Sequence, residues 1–219
     1  MPRSVPRPLS PRPVVPDVAA DLTEAPAPSP GADLTGVAID GLRGDVDATR
    51  SALTASALTD AAVQRLVLTH ARLLDVAIVD LRATEVPAAH SRWREVSIDG
   101  GRIGTLDLTG AVVDGLVLRG VRVDYLGLRQ ARIEDLLLVG CRIGALDLPE
   151  AELARVRCED CDIDDIDTRG MRARDTDLRG VDVLTVTDAA ALRGTTLTPV
   201  QALGLAEALA LAAGIDVKD

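Results

Sequence analysis

The chain has 219 residues, 47% of them hydrophobic, and a formal net charge of -10 at pH 7, so it can bury a sizeable core and would repel a phosphate backbone. It contains no Phe, one Trp and one Tyr, which leaves Leu, Val, Ile and Ala to fill the interior and almost nothing on which bases could stack. A wholly disordered chain is excluded and direct nucleic-acid binding is disfavoured.

Nine of the twelve prolines fall in the first 30 residues, among Ser, Ala and charged side chains. Such a stretch buries no face, so residues 1–31 are expected to form a disordered, partly polyproline-like tail, either a tolerated extension or an over-long start, the alternative being a docking tail. The segment has arginines at 3, 7 and 12 but no apolar h-region, and no 18-residue apolar run occurs anywhere in the chain. Neither a signal peptide nor a membrane span is indicated, and a cytoplasmic location is expected. Three cysteines, an odd number, argue for reduced thiols rather than a disulfide framework.

A period of five dominates residues 51–188. From Leu53 every fifth residue is apolar or small through Leu58, Val63 and onward to Leu178 and Val183, and a second such residue lies two positions earlier, as in Ala111, Leu116, Val121 and Leu126. Two inward residues spaced two apart require a short extended segment, because only a strand returns a side chain to the same face after two residues. Five residues cannot hold a strand and a hairpin loop, so the chain must turn in one sense at each corner and coil into a solenoid with about 4.8 Å between turns. The earlier inward position alternates small (Ser91, Gly101, Ala111, Ala131) with large (Val96, Leu106, Leu116, Leu126), which predicts bulky residues on alternate faces. Gly100, Gly110, Gly120, Gly140, Gly170 and Gly180 recur at multiples of ten and mark corners that need a permissive backbone.

Segments such as Ala131-Arg132-Ile133-Glu134-Asp135 and Val181-Asp182-Val183-Leu184-Thr185 resemble the A(D/N)LXX unit of pentapeptide-repeat proteins. The resemblance implies an all-β solenoid, a right-handed quadrilateral parallel β-helix with four pentapeptides per coil. About seven coils are expected over residues 51–188, within a repeat domain spanning 51–192. Residues 83–90, with Pro87 inside, repeat weakly and are read as a loop or bulge. Leu34 and Ile39 sit one residue out of phase, so residues 32–50 form either an offset first coil or an irregular cap. Residues 193–219 are expected to cap the far end: Thr198-Pro199-Val200-Gln201 reads as a capping box with proline at the first helical position, Leu205, Leu209 and Ala212 share one helical face, and Gly214 ends it. The resemblance also implies that this C-terminal element mediates a homodimer.

Motifs for chemistry are scarce. His70 and His90 have no neighbouring Cys or paired carboxylates, there is no P-loop, G-x-G-x-x-G or G-x-S-x-G, and the C-x-x-C of Cys158 and Cys161 falls on inward repeat positions, one coil from Cys141. No cofactor or metal is expected, and the chain reads as a non-enzyme. Charge is the one functional clue. Residues 51–146 are balanced, with eleven acidic and eleven basic side chains, whereas 147–188 carry thirteen acidic against six arginines. Seven net charges over about 10 Å compare with about six DNA phosphates over that length. The candidate partner-binding patch is therefore Asp160, Asp162, Asp164, Asp165, Asp167, Asp175 and Asp177. Several pentapeptide-repeat proteins resemble DNA in shape and charge and bind type II topoisomerases, so the resemblance implies DNA gyrase or topoisomerase IV as a partner and inhibition or protection from poisons as the outcome. Against this, the whole rod nets only seven negative charges where DNA of equal length shows about twenty. Arg92, Arg102, Arg122, Arg132 and Arg142 recur at equivalent positions and suit a protein-interaction or scaffold module better.

Overall fold

Inward pairs at five-residue spacing can be satisfied only if each turn stacks on the next, and in a computed structural model, described over residues 7–182 and 185–218, they do. Strands pair in parallel with the segment 20 residues later, as in Arg92↔Val112, Val112↔Arg132 and Arg132↔Glu152. Backbone bonds such as Leu108 N to Gly127 O (2.8 Å) and Arg132 N to Ala111 O (2.9 Å) tie successive turns. The chain is a parallel β-solenoid of about 8 turns with two short helices near its C-terminus. Residues 1–6 of the tail and Val183 and Leu184 of the repeat lie outside the described residues.

Twenty residues per turn at five per side give four sides, named here by the central inward residues of one turn: Val113, Leu118, Val123 and Leu128, all buried. Three of the four corner columns hold residues in the left-handed region, among them Gly110, Gly120 and Gly140 and also His70, Asp75, Asp135 and Asp160. Asp and His tolerate that conformation better than most side chains, which explains their recurrence beside glycine. Gly180, read from sequence as another such corner, has no positive φ; it is glycine because a Cβ there would lie 2.1 Å from Cys158 O.

The first coil is an offset one. Asp33–Thr35 and Val37–Asp40 pair with residues only 19 ahead, and the register returns to 20 between Gly44 and Asp45. One missing residue puts Leu34 and Ile39 out of phase. Residues 83–87 are neither a loop nor a bulge, since the strand Arg72–Pro87 runs through them in register with Ile103, Leu106 and Asp107, and residues 88–90 make the same corner turn as 68–70 and 108–110. Ala83 stands ten residues from Trp93, on the opposite side of the same turn, so the small side chain faces the largest one in the core, and both are buried. Pro87 lacks a donor, but its carbonyl accepts from Leu68 N at 2.8 Å and Ala88 N donates to Asp107 O at 2.7 Å, which holds the rung on both sides.

The tail departs most from expectation. Residues 7–31 are placed against the rod rather than free of it: Thr23–Glu24 pair with Val37 and Ala38, Pro28 lies over the first coil beside Ile39 and Leu42, and Val14 is buried. Backbone N–H groups of a proline-rich segment need acceptors like any others, and here carbonyls and carboxylates of the rod supply them.

At the other end regular pairing thins to single bridges, Cys161↔Val181 and Ile166↔Val186, before a 3-10 turn, Ala189–Leu192. The cap is two helices, α1 (Pro199–Gly204) and α2 (Ala206–Ala212), not one, because the chain turns at Leu205 to bury that side chain. The capping box forms as expected, Gln201 N donating to Thr198 Oγ1 (3.1 Å) and Thr198 N to Gln201 Oε1 (2.8 Å). Gln201 does more: its buried Nε2 donates to Leu178 O (2.9 Å) and Val181 O (2.8 Å), two carbonyls at the end of the solenoid. Replacing Gln201→Ala takes this donor from Val181 O, leaves Leu178 O with the Val181 N–H (3.1 Å), and removes the box, so a loss of about 2 kcal/mol in urea unfolding is expected; an unchanged midpoint would show that water takes over at Val181 O. Gly214, at φ +78°, ends α2 with Ile215 N donating to Ala210 O, as the sequence predicts.

Candidate interaction surfaces

Among the described residues the core is filled by side chains. Two voids of about 20 Å³ each are lined by side chains such as Leu136, Leu146 and Val156, or Leu53, Leu66 and Ile78. Cys141, Cys158 and Cys161 are buried and free, and the neighbouring Cys161 sulfur together with burial pushes the Cys141 and Cys158 thiols above their ordinary range. His70 and His90 stack face to face at an exposed corner, ring centroids 5.4 Å apart. No group of three His, Cys, Asp or Glu with metal-binding geometry occurs among the described residues, and no described helix is long and apolar enough to cross a membrane.

Interest therefore falls on the outside. The seven aspartates of the acidic coils do not form one patch, because position along a turn assigns them to different sides. Asp162 and Asp164 flank Ile163 on the Val123 side, with Asp160 and Asp165 at that side's two corners. Asp167 is round the corner on the Leu128 side, where its carboxylate accepts from Arg169 N (3.1 Å) and Arg169 Nε (2.9 Å). Asp177 lies on the Leu118 side and does the same with Arg179 N (3.2 Å) and Nε (2.8 Å). The same turn recurs where Asp47 accepts from Thr49 N and Asp107 from Thr109 N. An aspartate two residues before a corner N–H folds the turn. The hydrogen bonds from Arg169 and Arg179 hold Asp167 and Asp177 below the usual carboxylate range, so these two serve the fold. Asp175 occupies the corner diagonal to Asp165, where its Oδ1 accepts from Leu9 N (3.1 Å).

What remains is Asp160, Asp162, Asp164 and Asp165 at the C-terminal end of the Val123 side. Asp162 pairs with Arg142 of the preceding turn (3.4 Å), and the other three have no ion pair among the described residues. The turns before them present Arg82, Arg102, Arg122 and Arg142, one above another in the pairing register. Asp124 sits between two of these arginines, 3.0 Å from Arg102 and 3.3 Å from Arg122. Gly104 and Gly144 keep the side flat, since a Cβ would lie 2.5 Å from Thr84 O and 2.6 Å from Asp124 O. One flat side thus runs from an arginine ladder to an acidic end. Tyr125 edges it, its hydroxyl donating to Asp147 Oδ2 at 2.6 Å; partial burial and that carboxylate raise its pKa to about 12. On the opposite, Val113 side, Arg132, Glu134, Glu152 and Arg172 line an open groove of about 590 Å³ and exchange ion pairs such as Arg172 to Glu152 (2.6 Å).

Sequence reasoning missed a second cluster. Asp135, with a fully buried side chain, accepts from Arg12 N (2.9 Å), Arg12 Nε (2.5 Å), Arg155 Nε (2.6 Å) and Arg155 Nη2 (2.8 Å). Arg12 also reaches Asp114, and Arg155 reaches Glu134. Burial alone would raise the Asp135 carboxyl, but the two guanidiniums and the backbone N–H more than offset it and hold it far below the usual range. The available signal was a carboxylate recurring at multiples of 20 residues, as in Asp75, Glu95, Asp135 and Asp175, with Gly115 and Arg155 at the places between.

No family model and no curated protein matches the chain. Among solved structures it is similar to QnrB1, a plasmid-mediated fluoroquinolone resistance protein, at 16% identity with a TM-score of 0.31, over 86% of this chain and 100% of that one. The fold itself rests on the strand register described above.

Proposed function

We propose that this protein is a non-enzymatic interaction module whose Val123 side docks a protein partner. The observation that supports this reading is the flat arginine ladder, Arg82 to Arg142, ending in the Asp160, Asp162, Asp164 and Asp165 cluster. Such a bipolar strip matches a partner surface carrying carboxylates and cations in the reverse order, and electrostatic complementarity of that kind sets register and encounter rate. The test is affinity capture from the native cell with cross-linking and mass spectrometry, comparing wild type with Arg102→Glu/Arg122→Glu and with Asp160→Asn/Asp164→Asn/Asp165→Asn. A partner lost in both variants supports the strip; a partner indifferent to both sinks it.

A second reading rests on the same acidic end and on the resemblance of the repeats: modulation of a type II topoisomerase, with the acidic end in place of DNA. Purified gyrase or topoisomerase IV titrated with the protein tests it. Inhibition of supercoiling or decatenation, or protection from a cleavage poison, should be present with wild type and lost with the triple Asn variant. No effect of wild type at micromolar concentration ends the reading.

Homodimerisation through the C-terminal cap belongs to the same proposal. Val200 is 79% exposed and Leu203 77%, and Leu211, Ile215 and Val217 are also exposed, which supports an apolar contact with a second copy. Sedimentation of wild type should give twice the chain mass, and Leu203→Glu should give the monomer.

A further inference from the structure

Between Leu9 and Ala19 the chain runs along one corner of the rod, against the direction in which the solenoid grows. Leu9 N donates to Asp175 Oδ1 (3.1 Å), Arg12 N to Asp135 Oδ1 (2.9 Å), Asp17 N to Asp75 Oδ1 (3.2 Å) and Ala19 N to Ala55 O (3.2 Å). All four acceptors belong to the corner column that borders the Val113 side, residues 55, 75, 95, 115, 135, 155 and 175. Ten residues therefore cross six turns. Six turns at about 4.8 Å make about 29 Å, and ten residues of polyproline II at about 3.1 Å make about 31 Å. The match holds locally too: three residues of polyproline II advance about 9.3 Å and two turns about 9.6 Å, which is the step from Leu9 at Asp175 to Arg12 at Asp135.

Side chains complete the fit. Pro11 and Pro13 flank Arg12, and with Pro16 they keep the segment extended while lacking the N–H groups that the column has no acceptors for. Arg12 enters between Asp135 and Asp114, Ser10 Oγ accepts from Arg157 Nη2 (2.8 Å), and Val14 is 4% exposed. Nothing in this recognition depends on the peptide belonging to the same chain.

We infer that this corner column is a docking edge for an extended, proline-rich, arginine-bearing peptide of a partner protein, and that residues 9–19 occupy it as a cis ligand which such a peptide displaces. The edge reads backbone N–H groups with carboxylates two and three turns apart and one carbonyl, and one arginine with the Asp135 and Asp114 pair, in the manner of other polyproline-reading sites that exploit a ligand already extended. Because the strap is tethered at the Thr23–Glu24 pairing, its effective concentration at the edge is on the order of millimolar, and a partner peptide must exceed that to compete.

The test uses the full chain and a fluorescein-labelled peptide with the sequence of residues 7–20. Amide hydrogen exchange should show Leu9, Arg12, Asp17 and Ala19 protected in wild type and released in Arg12→Glu, with the solenoid still protected. The labelled peptide should bind Arg12→Glu at least tenfold more tightly than wild type, and adding Asp135→Ala to that variant should abolish binding. If Arg12→Glu leaves the strap in place, Val14→Asp releases it by burying a charge, and the same comparison is made. Equal binding to wild type and to a released variant, or no binding to a chain whose strap is released, overturns the proposal and leaves residues 9–19 as a purely structural strap.

Discussion

Trp93→Ala is expected to cost about 4 kcal/mol in urea unfolding followed by far-UV circular dichroism, because truncating a buried tryptophan removes its transfer energy and leaves a cavity. Trp93 is 2% exposed, stacked between Leu73 and Val113 in the turn register. A solenoid cannot collapse around such a hole, since the backbone ladders on all four sides fix the width of the core. The partner of this position is Ala83 on the opposite side, which gives a sharper form of the experiment. In wild type, Ala83→Leu should overpack and destabilise by about 2 kcal/mol. In a Trp93→Leu background the same Ala83→Leu change should be stabilising, since two leucines restore the volume of one tryptophan and one alanine. A change in sign is the expected result; additive effects would mean that the two side chains do not share the space.

That pairing also explains why residues 83–90 read as a loop or bulge in the sequence. A five-residue template scores each position against its neighbours in the chain, and Ala83 and Ala88 score poorly, yet their complement lies across the core. The solenoid itself was legible because inward residues repeat from Leu53 to Leu178, all of them buried except the half-buried Ala173, and periodicity detects burial directly. The acidic coils were misjudged for a related reason. Counting charge along the chain pooled Asp160 to Asp165 with Asp167, Asp175 and Asp177, although residues that differ by ten face opposite ways once twenty make a turn. The tail was expected to be disordered, with docking as the alternative, and its course along the rod was not legible. Four of its contacts are made by backbone N–H groups, which every residue except proline carries, and the partners of the Arg12 and Ser10 side chains lie more than 100 residues away, so composition holds no trace of them. Only the near-equality of three polyproline residues, about 9.3 Å, and two turns, about 9.6 Å, could have pointed to a strap, and that comparison requires both structures to be assumed at once.

Asp135→Ala should loosen the strap and destabilise the chain by about 3 kcal/mol, the low end of what breaking a buried charge pair costs, because Arg155 keeps Glu134 and some solvent exposure and Arg12 keeps Asp114. Acid should separate this contact from ordinary surface pairs. The folded carboxyl of Asp135 is depressed, so its contribution is fully present above the unfolded value of about 3.9 and is lost only as pH falls through the folded one. Exchange protection of Arg12 N–H should therefore persist at pH 3, where an unperturbed aspartate is mostly protonated. In Asp135→Asn the carboxamide can still accept from Arg12 N–H but carries no charge for either guanidinium, so protection should be weaker at every pH and should lack the acid-dependent step. If wild type instead loses Arg12 protection near pH 4, Asp135 is not held by its two arginines, and the ion pair cannot be what fastens the strap to the rod.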